Sequence, residues 1–422
     1  MLTVSMGTIH SIMVSGLGKQ AISAVGLVDQ LNGFFVAFFT SMSIGATVLV
    51  AQYVGSQKED KAKKCAGQAL LLGTSISLIT GTILWLNAPG IFNGLYGKTE
   101  PLLFNYAMIY LKATVSTFPT FAIYTICAGI MRGSGNMKRP MKIAFIAGII
   151  NVIVSAICIY IFHLGTLGAG VGLIVSRIYS CTTALWVLKK DGWITRLSDI
   201  FVPSIPDIRN IAKIGVFIGT ENVLFAIGKI LTNSFIVAAG TDHIAANAIA
   251  GALFNIIVIP GNAMAVVATT LVGRYVGAHN KEDAHGALVS TAKFTSVLLF
   301  FTCAITIPLY PLLFRMYTTD AAILPLLYKI MLLNAVFMPV SWTFAGLIPA
   351  GLRGAGDVLF PSVNTVINMW VCRILLAFIF TKYLGMGVVG VWLAQYIEWH
   401  VRGFVNFLRF RTGRWLNKKL IE

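Results

Sequence analysis

The residues of this chain that could do chemistry are few, and most stand inside long apolar stretches. Glu221 lies in Gly219-Thr-Glu-Asn-Val-Leu-Phe225. A carboxylate surrounded by hydrocarbon is costly, which marks it as a functional candidate by default. It can take up a proton or a cation, or it can be half of an ion pair between helices. Asn222, Lys229 and Asn233 follow at spacings of seven and four residues, so on one helix they share a face and could line a wet cavity. Asn364 and Asn368, one turn apart, are expected to line a cavity as well. Glu398 and Arg402 stand at i,i+4 with Gln395 on the same face, the spacing of a local ion pair that Arg373 could join. The intramembrane cations are Lys112, Arg177, Lys229 and Arg373.

Enzyme signatures fail one by one. Gly97-Lys98-Thr99 looks like the end of a phosphate loop, but the glycine required five positions earlier is Phe92. Gly168-Ala-Gly-Val-Gly172 opens an apolar span rather than a strand–turn–helix unit. The histidines (His10, His163, His243, His279, His285, His400) are dispersed, with no HExxH, so no metal site is expected. The cysteines (Cys65, Cys127, Cys158, Cys181, Cys303, Cys372) lack CxxC spacing and fall in apolar stretches, as buried free thiols do.

The elements that must position these residues follow from composition. Of 422 residues 57% are hydrophobic and 11% charged, and the mean hydropathy is +0.82. A soluble domain carries about 25% charged residues, and no compact soluble shape could hide so much hydrocarbon. Disordered, collagenous, coiled-coil and disulfide-rich classes are excluded by the same numbers. The chain reads as an all-α integral membrane protein. Spans are expected over residues 21–54, 62–87, 101–131, 140–162 and 167–188, then 208–239, 244–276, 284–313, 321–352, 360–383 and 387–410. Residues 1–14 are apolar but short, and read as the second half of a truncated first span, with the true N-terminus upstream. That makes about twelve spans.

The net charge of +17 is not a nucleic-acid stripe, because Lys and Arg gather in short clusters between spans. One set of connections carries Lys58, Lys61, Lys63, Lys64, Lys138, Arg139, Lys189, Lys190, Arg274 and Arg353, and the tail holds Arg409, Arg411, Arg414, Lys418 and Lys419. By the positive-inside rule this set, with the C-terminus, is expected to be cytoplasmic in a multi-pass cell-membrane protein.

The chain also repeats itself. Residues 51–62, with Tyr53-Val-Gly, reappear as 273–284 with Tyr275-Val-Gly, an offset of 222. Arg132-Gly133-Ser-Gly135 with Pro140 reappears as Arg353-Gly354-Ala-Gly356 with Pro361, an offset of 221. Leu164-Gly165 matches Leu384-Gly385 at an offset of 220. This is a duplicated six-helix unit, with an N-terminal lobe over residues 1–190, a cytoplasmic linker over 191–207 and a C-terminal lobe over 208–422. An even helix count makes the repeats parallel, suited to lobes rocking about a central cavity. In each Arg-Gly-x-Gly element Gly permits a tight turn, Pro starts the next helix, and Arg can meet helix-end carbonyls or lipid phosphate. Pro119, Pro260 and Pro339 sit inside spans and permit bends.

Gly16-Leu-Gly18, Ala24-Val-Gly26, the Tyr-Val-Gly segments and the doubled Arg-Gly-x-Gly-x4-Pro together resemble the multidrug and toxic compound extrusion (MATE) antiporters, in a bacterial branch. The resemblance implies a secondary transporter exporting organic, cationic amphiphilic compounds against Na⁺ or H⁺, with no other cofactor and acting as a monomer in the bilayer. It implies coupling at a carboxylate in the helix of Glu221. The first lobe departs from that pattern. The family's first-span aspartate falls at Ile9-His10-Ser11, and its fifth-span aspartate is Ser155, four residues after the matching Asn151. His10 and Asp29 are the substitutes this sequence offers for coupling. A lipid-linked precursor flippase, or a membrane receptor that moves nothing, are the alternatives.

Overall fold

The computed structural model describes residues 13, 14, 16, 18–97, 100–193, 204–315, 317, 318, 320–418 and 420. Regular structure among them is entirely helical. Lipid offers backbone groups no water, so a helix that bonds within itself is what these apolar runs must form. The first half holds spans Lys19–Gly55, Glu59–Leu86, the bent pair Pro101–Ser116 and Phe118–Gly133, Lys138–Ile161 and Gly165–Lys190. The second holds Ile205–Ala239, the bent pair Thr241–Ile257 and Ile259–Gly277, Lys281–Arg315, Leu324–Gly354 and Leu359–Lys382. Gly387–Arg411, more polar because it carries Glu398 and Arg402, completes the second set. These are the spans read from the sequence, with ends moved by a few residues. Of the expected first span only Met13 and Val14 are described, both buried, and His10 lies outside the described residues.

The bends sit where two of the three prolines predicted them. Pro119 follows a 44° break at Thr117, and Pro260 follows a 46° break at Val258. Pro339 lies inside Leu324–Trp342, which runs on into a π-turn at Thr343–Leu347.

The chain divides into two compact units, Met1–Val54 with Lys58–Gly219, and Gly55–Gln57 with Thr220–Glu422. The division falls inside Ile205–Ala239. Its first turns pack in the first unit, where Gly45 faces the Ile211 backbone and Gly215 faces Met42. Residues 194–203, most of the expected linker, lie outside the described residues. Each unit has its own aromatic core, Phe39, Phe92, Tyr110 and Phe118 in the first and Tyr310, Phe314, Trp392 and Tyr396 in the second. The outer faces are hydrocarbon, as in Phe294, Val297, Phe300, Phe301 and Ile305 along one helix, which suits contact with lipid.

The duplication is visible in backbone geometry. Tyr53 O accepts from Lys58 N at 3.0 Å, and Tyr275 O from Asn280 N at 3.0 Å, with Gln57 and His279 left-handed at φ 58° and 59°. Gly135 and Gly356 turn at φ 90° and 95°. Thr47 Oγ1 donates to Gly129 O and Thr269 Oγ1 to Ala350 O, each at 3.0 Å. The third match needs correction. Leu164 N donates to Cys158 O as Met386 N does to Phe380 O, and the left-handed residues are His163 and Gly165 against Gly385 and Gly387. The offset there is 222, not 220. Matching Leu-Gly to Leu-Gly is misleading because His163 fills the first left-handed position that glycine holds in the second copy.

Candidate functional site

Each unit contains a cavity, and the two occupy matching places in the repeat. The first, about 360 Å³, is lined by Asp29, Asn32, Tyr110, Phe121, Asn151 and Arg177 among others. Its size is in the range of small-molecule sites. Lys19–Gly55 supplies Asp29 and Asn32 one turn apart, Pro101–Ser116 supplies Tyr110, and Gly165–Lys190 supplies Arg177. Tyr110 Oη donates to Asp29 Oδ1 at 3.1 Å. Arg177 donates to Thr117 Oγ1 and lies 4.6 Å from the Phe121 ring centre, a cation–π arrangement. Asn32 is 5% exposed, and neither atom of its amide has a hydrogen-bond partner. Ser155 Oγ donates to Asn151 Oδ1 at 3.2 Å and lies against Gly172, so the family's longer aspartate would be crowded here.

The second cavity, about 340 Å³, is lined by Glu221, Phe254, Asn255, Asn262, Trp342, Gly346, Arg353, Trp399 and Arg402 among others. Glu221 is 8% exposed. One guanidinium nitrogen of Arg353 donates to both its oxygens, at 2.8 and 2.6 Å, and Ser362 Oγ donates to Oε2 at 2.7 Å. Glu221 is therefore an interhelical ion pair with its lone pairs largely engaged. Arg353 is corrected accordingly. It pairs with a carboxylate rather than with helix-end carbonyls, and Arg132 donates to Ala128 O one turn back on its own helix at 3.1 Å and to Ser43 Oγ at 3.0 Å. The glycines beside them do what the turns require, Gly133 approaching the Thr47 carbonyl and Gly354 that of Thr269. Pro140 and Pro361 lie in the first turns of the helices that follow.

Behind the cavity wall Glu398, with no exposure, lies 3.0 Å from Arg402 and 3.3 Å from Arg373. The expected i,i+4 pair and its third member are both present. The contacts are ionic in distance but lack hydrogen-bond alignment. Asn364 and Asn368 do not line the cavity as expected. Asn364 donates to Asn406 Oδ1 and to Arg402 O, and Asn368 donates back to Asn364, a buried amide chain that consumes both. Asn222, Lys229 and Asn233 share a face as predicted, but it is an exposed face outside both cavities. Periodicity assigns residues to a face without telling what covers it.

Sequence reasoning gave no role to Tyr110, Arg177, Trp342 or Trp399. Superposing the halves would have pointed to the last three, since offsets of 221 and 222 place Phe121 against Trp342 and Arg177 against Trp399.

The MatE family profile matches residues 1–157 and 218–379. The chain is 27% identical over 416 residues to a probable multidrug resistance protein NorM of Thermotoga maritima, covering 95% of this chain and 87% of that one. It is 22% identical over 422 residues to the uncharacterized transporter YisQ of Bacillus subtilis, covering 99% and 92%. Among solved structures it superposes on MATE in the bent conformation with TM-score 0.90 at 22% identity, covering 97% of this chain and 91% of that one. An outward-facing multidrug resistance MATE family transporter of the MOP superfamily gives TM-score 0.92 at 22% identity, covering 99% and 93%. Twelve spans in two lobes is the architecture these share, and the chain belongs to the MatE family of membrane transporters.

Proposed function

We propose that the protein is a secondary active multidrug efflux antiporter that exports organic, cationic amphiphilic compounds in exchange for an inward-moving ion. Relatives named as probable multidrug resistance proteins support drug efflux, and Asp29 beside the aromatic rings of Tyr110 and Phe121 offers a carboxylate for a cationic head. The observation that carries the coupling is the buried Glu221, held by Arg353 and Ser362 on a cavity wall. Protonation would release Arg353 and leave a buried guanidinium unpaired, so occupancy at Glu221 biases one conformation against another. Of Na⁺ and H⁺, the donors around Glu221 favour H⁺, since a hard metal cation needs a shell of oxygens.

The test is flux in proteoliposomes under H⁺ and Na⁺ gradients imposed separately, for the wild type and Glu221→Gln. The variant keeps the shape but strips Arg353 of its countercharge, so thermal stability is measured beside flux; in folded protein gradient-driven flux should be lost and substrate binding partly kept. A folded Glu221→Gln protein with normal ion-driven flux would sink the coupling role, and Asp29 and His10 would be tested next. By the positive-inside rule the basic connections support a cytoplasmic C-terminus. A cysteine replacing Lys190 should react with impermeant thiol reagents only in inside-out vesicles, and labelling from outside would reverse that orientation.

A further inference from the structure

The polar groups of the second cavity are unbalanced in one direction. Among its lining residues three buried side-chain atoms have neither a hydrogen-bond nor an ion-pair partner, Trp342 Nε1, Trp399 Nε1 and Arg353 Nε, all of them donors, whereas Arg402 Nε is spent on Glu398 Oε1 at 3.0 Å. Buried donors without acceptors are rare in folded proteins and call for an explanation. The carboxylates nearby are taken. Glu221 is engaged by Arg353 and Ser362, and Glu398 by Arg373 and Arg402. Three guanidiniums against two carboxylates leave one positive charge. Phe254, Trp399 and Trp342 form an aromatic shelf, with ring centres 6.0 Å apart between Phe254 and Trp399 and 6.3 Å between the tryptophans. The benzene half of the Trp342 indole lies across Gly346, where any Cβ would meet it, and Gly261 lies against the half that carries Nε1. Two glycines thus hold this ring and its unpaired N–H at the cavity wall.

We infer that the second cavity is a binding site for a planar aromatic carboxylate, its ring stacked on the tryptophan shelf and its oxygens taking the unpaired N–H donors. The site adds an anionic ligand to a unit whose assigned task is ion coupling, and it does not depend on whether Glu221 couples flux. Charge-assisted hydrogen bonds supply the recognition, and the aromatic faces supply the contact area.

The probe is 1-naphthoate, titrated by calorimetry into the full-length protein in detergent. Its neutral isostere 1-naphthamide and the cation 1-naphthylmethylammonium are titrated in parallel. Naphthoate should bind saturably at one site, and naphthamide about tenfold or more weaker, as expected for loss of a charged acceptor. The cation should not bind there. Trp342→Phe and Trp399→Phe keep a ring and remove an N–H, and each should weaken naphthoate about tenfold. Trp186→Phe, an exposed tryptophan outside the cavity, should leave it unchanged. Asn262→Asp, at an exposed lining position where folding is safe, should abolish naphthoate binding by adding a negative charge. Absence of saturable naphthoate binding overturns the proposal. So does equal affinity for naphthamide, cation binding that Trp342→Phe and Trp399→Phe weaken as they weaken naphthoate, or naphthoate affinity unmoved by Asn262→Asp.

Discussion

The two halves of this protein keep the same backbone punctuation and fill it with different chemistry. The left-handed positions recur within a few degrees, at Gln57 and His279, Gly135 and Gly356, and Gly165 and Gly387. The cavity positions do not match. Where the second half buries Glu398, Arg402 and Arg373, the first has Ser176, Ser180 and Asn151 at an offset of 222. Where the first half has Arg177, the second has Trp399. A turn residue sets the start of every helix after it, so changing it displaces a whole span. A cavity residue answers only to its neighbours, and the two copies are free to differ there.

The largest expected effect breaks the charged side of this comparison. Glu398→Gln leaves Arg373 and Arg402, both nearly fully buried, without a countercharge. Loss of one member of a buried ion cluster costs about 3–5 kcal/mol, so thermal unfolding in detergent should show a large drop or no folded protein. Ser176→Ala, at the matching position, removes only a hydroxyl bonded to its own helix at Leu173 O. It should cost about 1 kcal/mol or less. Equal stabilities of the two variants would show that the second-half cluster is not an ionised network.

A smaller effect concerns packing. Ser155 Oγ would overlap a Cβ at Gly172, whereas the matching pair in the second half is Ala377 and Ala394. The halves thus divide similar space differently, a hydroxyl against a glycine in one and two methyls in the other. Gly172→Ala should destabilise by about 1–3 kcal/mol through overpacking, and adding Ser155→Ala should recover part of it, because the Asn151 carbonyl and the Ser155 backbone nitrogen still crowd the new Cβ. Strictly additive losses in the double variant would mean that the two positions do not share the space.

The same comparison explains what the sequence made legible. The spans followed from hydropathy, and Glu398 with Arg402 from helical spacing, because both are local. Arg373 was reachable because the pair needed a further partner on an adjacent span. Arg353 was misjudged because its partner, Glu221, lies 132 residues away on another helix. Asn364 was misplaced for the same reason, its partner Asn406 being on Gly387–Arg411. The register slip at Leu164-Gly165 came from weighing residue identity above backbone conformation. Cavity membership depends on which helix face is covered, and that is a property of the packed bundle.

The smallest expected effect tests whether the halves differ in shape for a single local reason. Thr241–Ile257 and Ile259–Gly277 meet at 46° with Pro260 in the first turn of the second segment. The corresponding span of the first half, Lys19–Gly55, is one uninterrupted helix with Phe38 at the matching position. Proline lacks the N–H that would bond to the carbonyl of Ile256, and its ring crowds that carbonyl. Pro260→Ala restores the donor, so the helix can continue through Val258 as it does through Val36. Stability should change by only about 1 kcal/mol, because the gained hydrogen bond is offset by greater freedom of the unfolded chain. The readout is shape. With spin labels at Ile244 and Ala278, straightening two segments that rise 1.5 Å per residue should lengthen the label distance by about 4 Å. An unchanged distance would assign the bend to packing of the surrounding helices, and Pro260 would then be a consequence of the bend rather than its cause.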